Sequence, residues 1–102
     1  MLTTWPVVTE AMHLLRKRKG WPGQDSLWRA IAAGTLGIAD IDEQLRERSR
    51  QLMAKYKGSP MDIADATLVA VAERHGLRQI FTLDSHFAVY RINGRDPFEI
   101  VP

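Results

Sequence analysis

The sequence contains no cysteine, which excludes disulfide bridges, thiolate metal sites and thiol nucleophiles. It has no apolar run close to the roughly 18–20 residues that a membrane-spanning helix needs. Its first residues do not form a basic segment followed by an apolar stretch, so no secretory signal is predicted. Together these absences predict a cytoplasmic protein with no membrane partner.

The composition that remains is typical of a globular chain. The 102 residues are 45% hydrophobic and 25% charged, and their number predicts a single domain over residues 1–102. The formal net charge is only +2, so the positions of the charges matter more than their sum. Basic residues cluster at Arg16 to Lys19 and at Arg46, Arg48 and Arg50. Either cluster can contact phosphate, but a solvated helix end is the more ordinary role for each.

Hydrophobic spacing predicts helices that alternate with short strands. The predicted helices cover residues 7–18, 27–33, 41–56 and 60–75, and the predicted strands cover residues 2–5, 36–38, 79–83 and 98–101. The segment from Gly20 to Gly23 is expected to end the first helix. This order of elements predicts an α/β domain with a mainly parallel sheet.

The last predicted helix carries two acids, Asp62 and Asp65, next to its long apolar run. Ser59 is expected to cap this helix, which would make Asp62 its third residue, where capping alone explains an acid. Asp65 would then lie a turn further in, beyond the reach of a cap. A buried carboxylate without a partner is costly, so we expect Asp65 to face a basic side chain or a metal ion. The spacing places Asp62 and Asp65 on one face of the helix.

Two further acids lie at positions where ligands bind in α/β proteins. Asp84 follows the predicted strand 79–83, and ligands bind beyond the carboxyl ends of parallel strands. Glu10 lies at the edge of the apolar stripe of the first helix. Each acid alone has an ordinary alternative: Asp is common after strands, and an acid at the edge of a helix stripe is usually solvated. As a set, oxygen ligands without Cys or paired His suit Mg²⁺ or Mn²⁺ better than zinc, and such a site suits attack of water on a phosphodiester.

The chain also has three tryptophans, Trp5, Trp21 and Trp28. Indole rings can stack on nucleobases, but packing in the core or in a surface flap is their more ordinary role. Core or flap packing is therefore our prediction for all three.

The segment from Met61 to Ala70, followed by Ile80-Phe81-Thr82-Leu83-Asp84, resembles the second half of PIN-domain nucleases, with VapC-type toxins as the closest likeness. The segment from Thr4 to Ala11 is similar to the one that carries that family's glutamate. The resemblance implies a PIN-like three-layer α/β fold and an acidic set that binds Mg²⁺ or Mn²⁺ and cleaves RNA. By this resemblance the catalytic residues are Glu10, Asp65 and Asp84, and the metal ligands are these three and Asp62.

The family also has a strand that ends in a first aspartate, and the present sequence offers no counterpart to either. We therefore expect an N-terminally truncated fold, weak or absent cleavage, and a homo-oligomer that compensates for the incomplete sheet. Two functions remain open. The chain is a metal-dependent ribonuclease, inhibited by an antitoxin protein, or it is an inactive remnant that binds RNA, protein or itself.

Overall fold

The computed structural model describes residues 1–59 and 61–82, and the backbone of residues 91–92, 96–97 and 99–101. Helices alternate with short strands, as predicted. None of the helices in this described part is long and apolar enough to cross a membrane. The elements are β1 (Leu2–Thr3), α1 (Trp5–Ala32), β2 (Gly37–Ile38), α2 (Glu43–Lys55), α3 (Ile63–His75), β3 (Gln79–Phe81), β4 (Arg91–Ile92), β5 (Asp96–Pro97) and β6 (Glu99–Val101).

Helix α1 is divided by Gly20, whose φ of 65° and ψ of −155° are non-helical. A positive φ is open to glycine at little cost, and the chain uses it to fold the second half of α1 back onto the first. Gln24 donates a hydrogen bond to the carbonyl of Met12 at 3.1 Å, and Gly23 lies so near Lys19 that a Cβ would come within 2.8 Å of that side chain. The predicted break is therefore confirmed. The predicted gap before the second helix is wrong, because Pro22 fits the first turn of a helix that resumes at once.

The three tryptophans do not pack in the core, so the core half of that prediction is wrong. Trp5 is 51% exposed, Trp21 is 63% exposed and Trp28 is 46% exposed. Composition cannot show which face of a helix meets solvent. Here the apolar positions Val8, Ala11 and Leu27 form the buried contact instead.

The sheet pairing is mainly parallel, as predicted. Leu2 pairs with Gly37 and Thr3 with Ile38 in the parallel pair β1–β2, and β3 pairs with β6 in parallel from Gln79 to Phe81. The pair β4–β5 is antiparallel. Within the described part of the chain these are three separate two-stranded sheets, and no hydrogen-bonded ladder joins β1 to β3.

Helix α3 is the centre of the core. Every residue from Ala64 to Ala72 is buried, because α1, α2 and β1 of the same chain pack around it. The largest fully buried side chains include Leu52 of α2, Leu68 of α3 and Ile80 of β3. The chain therefore covers α3 by itself, and this helix needs no second chain to bury its apolar faces.

Two of the three arginines of the second basic cluster are engaged within the chain. Arg48 donates two hydrogen bonds to Glu73, at 2.7 and 2.9 Å, and so ties α2 to α3. Arg50 pairs with Glu47 at 2.7 Å on the surface of α2. Arg48 therefore has a structural role in the fold, whereas the exposed Arg50–Glu47 pair adds little to stability.

Candidate metal centre

Asp62 and Asp65 form a reciprocal capping box at the start of α3. Asp62 is the N-cap, and its Oδ1 accepts a hydrogen bond from the backbone N–H of Asp65 at 3.0 Å. In return, Oδ2 of Asp65 accepts one from the backbone N–H of Asp62 at 3.2 Å. Each carboxylate thus satisfies a backbone donor that the first turn of a helix leaves without a partner.

This arrangement corrects two predictions. Helix α3 begins at Ile63, three residues later than predicted, so Asp62 caps the helix and Asp65 is its third residue. Asp65 is therefore within reach of a cap, although it is 2% exposed as predicted for a buried acid. The acid–x–x–acid spacing is the sequence feature that indicates this capping box. It was not recognised because Ser59 and Pro60 are also typical of the start of a helix.

Glu10 reaches the same place from α1. One carboxylate oxygen from each of Glu10, Asp62 and Asp65 lies within 4.8 Å of the others. Glu10 and Asp62 are partly exposed, whereas Asp65 is buried. We call these three residues the carboxylate cluster. The structure thus brings together three of the four predicted site residues, and the fourth, Asp84, lies outside the described residues.

The acids of the carboxylate cluster are electrostatically linked. Burial raises the pKa of Asp62, but hydrogen bonds with the Glu10 carboxyl and with the backbone N–H of Asp65 lower it by more, so the pKa of Asp62 lies below its ordinary value. Carboxylates this close repel one another unless a proton or a cation lies between them.

The donor atoms fit a hard divalent cation. All three are carboxylate oxygens, the ligands that Mg²⁺ and Mn²⁺ prefer, and the group includes no imidazole. Three carboxylates from two helices also leave coordination positions for water or substrate. The residues present are therefore suited to Mg²⁺ or Mn²⁺.

Sequence reasoning missed two residues that position this cluster. Thr4, just before α1, and Thr67, in α3, place their hydroxyl oxygens 2.9 Å apart in the core. Thr4 is the N-cap of α1, yet its side chain does not cap that helix. The available signal was Thr67 itself, a hydroxyl in an otherwise apolar run that needs a buried partner.

Comparisons with known proteins agree with this fold. The model of the PIN domain family matches residues 1–93. Ribonuclease VapC26 of Mycobacterium tuberculosis is 32% identical over 97 residues, which are 94% of this chain and 72% of that protein. The crystal structure of M. tuberculosis VapC20, a sarcin–ricin-loop-cleaving toxin, matches with a TM-score of 0.73 and 19% identity, covering 94% of this chain and 74% of the other. The chain therefore belongs to the PIN domain family and is of the VapC type.

Proposed function

We propose that this protein is a metal-dependent ribonuclease in which Glu10, Asp62, Asp65 and Asp84 hold Mg²⁺ or Mn²⁺ beside an RNA phosphodiester. The observation that carries the proposal is the meeting of the Glu10, Asp62 and Asp65 oxygens within 4.8 Å. The activity in the name of the 32% identical relative, a ribonuclease, supports it. Asp84 enters the proposal by resemblance to the family.

The chain's own residues contribute position and charge. The capping box restricts the side chains of Asp62 and Asp65, since each holds a backbone N–H through one named oxygen. A carboxylate has acceptor capacity for a backbone N–H and a cation together, so capping and metal binding are compatible. When bound, a divalent cation supplies a water of lowered pKa and a counter-charge for the phosphate.

The proposal is tested by cleavage of a labelled pool of RNA hairpins with randomised loops, with Mn²⁺ or with EDTA. We expect slow cleavage that needs the cation and falls about 100-fold in Glu10→Gln, because that change removes a ligand charge. The matched control is Glu47→Gln, an exposed acid of α2 outside the carboxylate cluster. Cleavage that persists in EDTA or in Glu10→Gln would contradict the proposal.

The capping box favours one alternative function. Since mutual capping accounts for Asp62 and Asp65 without a cation, the chain could act as an inactive PIN module that binds RNA or protein. The alternative predicts a folded protein that cleaves no RNA in the assay above and binds no Mn²⁺. Metal-dependent cleavage lost in Glu10→Gln would exclude it.

We further propose cytoplasmic RNA as the substrate, an antitoxin protein as the inhibitory partner that the resemblance implies, and association of two chains.

Support for association comes from Ile63 and Met53, which expose 60% and 38% of their surface beside an apolar pocket that Ile41 also lines. A stable dimer should bury more than about 1,000 Å². Sedimentation equilibrium should give twice the mass of the 11.6 kDa chain and the single-chain mass for Met53→Glu. A folded wild type at 11.6 kDa would contradict this part of the proposal.

A further inference from the structure

Positive charge is concentrated at the bend of α1. Residues 11–33 hold five of the fourteen basic residues and one of the twelve acids, so this segment carries +4 and the rest of the chain −2. The one acid, Asp25, pairs with Arg29 at 3.0 Å. Arg16, Lys17, Arg18 and Lys19 are all exposed, and none forms an ion pair with a residue that the structure describes. Four neighbouring cations are therefore available to an anion.

Two exposed indole rings lie directly after this basic block. Trp21 and Trp28 are seven residues apart, so they lie on the same edge of the helix, about 10 Å apart along its axis. The turn at Gly20 directs the opposite face, with Gly23 and Leu27, toward the first half of α1. The indoles consequently remain on the solvent side, with Trp21 separated from Lys19 by one residue.

Tryptophan is enriched at binding surfaces, and two exposed indoles on one helix edge beside a block of cations are typical of such a surface. A second copy of the chain is a poor occupant, because a two-fold interface would place this +4 segment against itself. Single-stranded nucleic acid fits both features. Its phosphates attract the cations, and its unpaired bases offer flat faces on which indoles stack.

We propose that Arg16 to Lys19, with Trp21 and Trp28, form a binding surface for single-stranded RNA. We call it the Trp–basic surface. Its basic block lies apart from the carboxylate cluster, since Arg16 lies about 9 Å beyond Glu10 along the axis of α1. The choice of RNA over DNA rests on the proposed function, whereas the binding itself needs neither a cation nor cleavage. Strand recognition here depends on stacking, so a duplex, whose bases are already stacked, should bind more weakly.

The test is fluorescence anisotropy with a fluorescein-labelled oligouridine of roughly 12 nucleotides, in EDTA so that metal-dependent cleavage cannot occur. We expect the double variant Trp21→Ala/Trp28→Ala to bind about 10-fold or more weakly. The matched control is Trp5→Ala, which removes an indole of similar exposure from the first turn of α1, outside the Trp–basic surface, and should bind as the wild type does. Circular dichroism establishes that each variant is folded.

Charge is tested separately through the salt dependence of binding. Lys17→Gln/Lys19→Gln should weaken binding. The plot of log affinity against log salt falls with salt, and its slope should become less steep by about 1.4, since each lost phosphate contact on a single strand contributes about 0.7. The control Lys55→Gln/Lys57→Gln removes the same charge from the end of α2 and should leave the slope unchanged.

Three results would overturn the inference. The first is unchanged oligouridine binding by the double tryptophan variant. The second is equal affinity for a duplex of the same length. The third is a fall in sedimentation mass in that variant with RNA binding intact, which would make the surface a contact between chains. Failure of the proposed function would look different, because wild type would then cleave no RNA with Mn²⁺ and still bind oligouridine through this surface.

Discussion

The hydroxyl oxygens of Thr4 and Thr67 lie 2.9 Å apart, with both side chains buried. Thr67 donates its only hydroxyl hydrogen to the carbonyl of Ala64 at 3.1 Å, so Thr4 is the donor in the contact between the two. Thr4 stands immediately before the helix of Glu10, and Thr67 is two residues beyond Asp65. This contact therefore fixes how the helix of the glutamate lies against the helix of the two aspartates.

Thr67→Val should destabilise the protein. Valine has nearly the same shape but accepts no hydrogen bond, so the buried Thr4 hydroxyl would lose its partner. We expect the free energy of unfolding to fall by about 1–2 kcal/mol, measured by urea denaturation. A variant as stable as wild type would show that the contact does not hold the two helices together.

Thr3→Val should have the opposite effect. Thr3 is fully buried in β1, and its Oγ1 has no hydrogen-bond partner among the described residues. Replacing a buried hydroxyl that lacks a partner with a methyl group removes a desolvation cost. We expect about 1 kcal/mol of added stability in the same denaturation experiment. An equal fall in the free energy of unfolding in Thr3→Val and Thr67→Val would show that packing, and not hydrogen bonding, determines the stability contributed by both positions.

The ion pair between Asp42 and Arg74 should make stability depend on pH. Hydrogen bonds from the Arg74 guanidinium and from the backbone N–H of Leu45 hold the pKa of Asp42 below its ordinary value of 3.8. A carboxyl with a lowered pKa in the folded state stabilises that state above its ordinary pKa, and the contribution is lost as the pH falls through the lowered value. Asp42→Asn keeps an N-cap residue and should be less stable than wild type at neutral pH.

The difference in stability between wild type and Asp42→Asn should shrink as the pH falls below the ordinary Asp pKa of 3.8, as urea denaturation across the pH range would show. The matched control is Glu43→Gln, the next acid of the same helix, for which no ion pair within the described residues is seen. A difference between wild type and Asp42→Asn that stays constant from neutral to acidic pH would contradict the role of Arg74.

Local patterns predicted the elements well and their ends less well. Helix α3 was predictable because a run of apolar residues with almost no polar face must be buried. Its first residue was not, since Ser59 and Asp62 both suit an N-cap and only the backbone bonds of Asp65 decide between them. The exposure of Trp21 and Trp28 depends on the direction that the chain takes at Gly20, which no periodicity encodes.

In the candidate site, too, local spacing predicted some relationships, while others depend on tertiary packing that the sequence pattern does not show. The i, i+3 spacing of Asp62 and Asp65 predicted their shared face directly. Glu10 lies 52 residues before Asp62, and only tertiary packing brings them together, so its inclusion came from the resemblance to a family. Thr4 and Thr67 were missed because a hydroxyl pair between two helices leaves no periodic signal in either one.

The central claim is that the carboxylate cluster binds a divalent cation, and Mn²⁺ titration calorimetry of Asp62→Asn tests it most directly. Asparagine caps a helix about as well as aspartate, so this change preserves the start of α3 while removing one ligand charge. The matched control is Asp42→Asn, the same substitution at the N-cap of α2, where Asp42 accepts a hydrogen bond from Leu45 at 2.9 Å. We predict one Mn²⁺ site in wild type and in Asp42→Asn, and binding about 10-fold or more weaker in Asp62→Asn. Mn²⁺ binding of equal strength in all three proteins, or none in wild type, would contradict the claim.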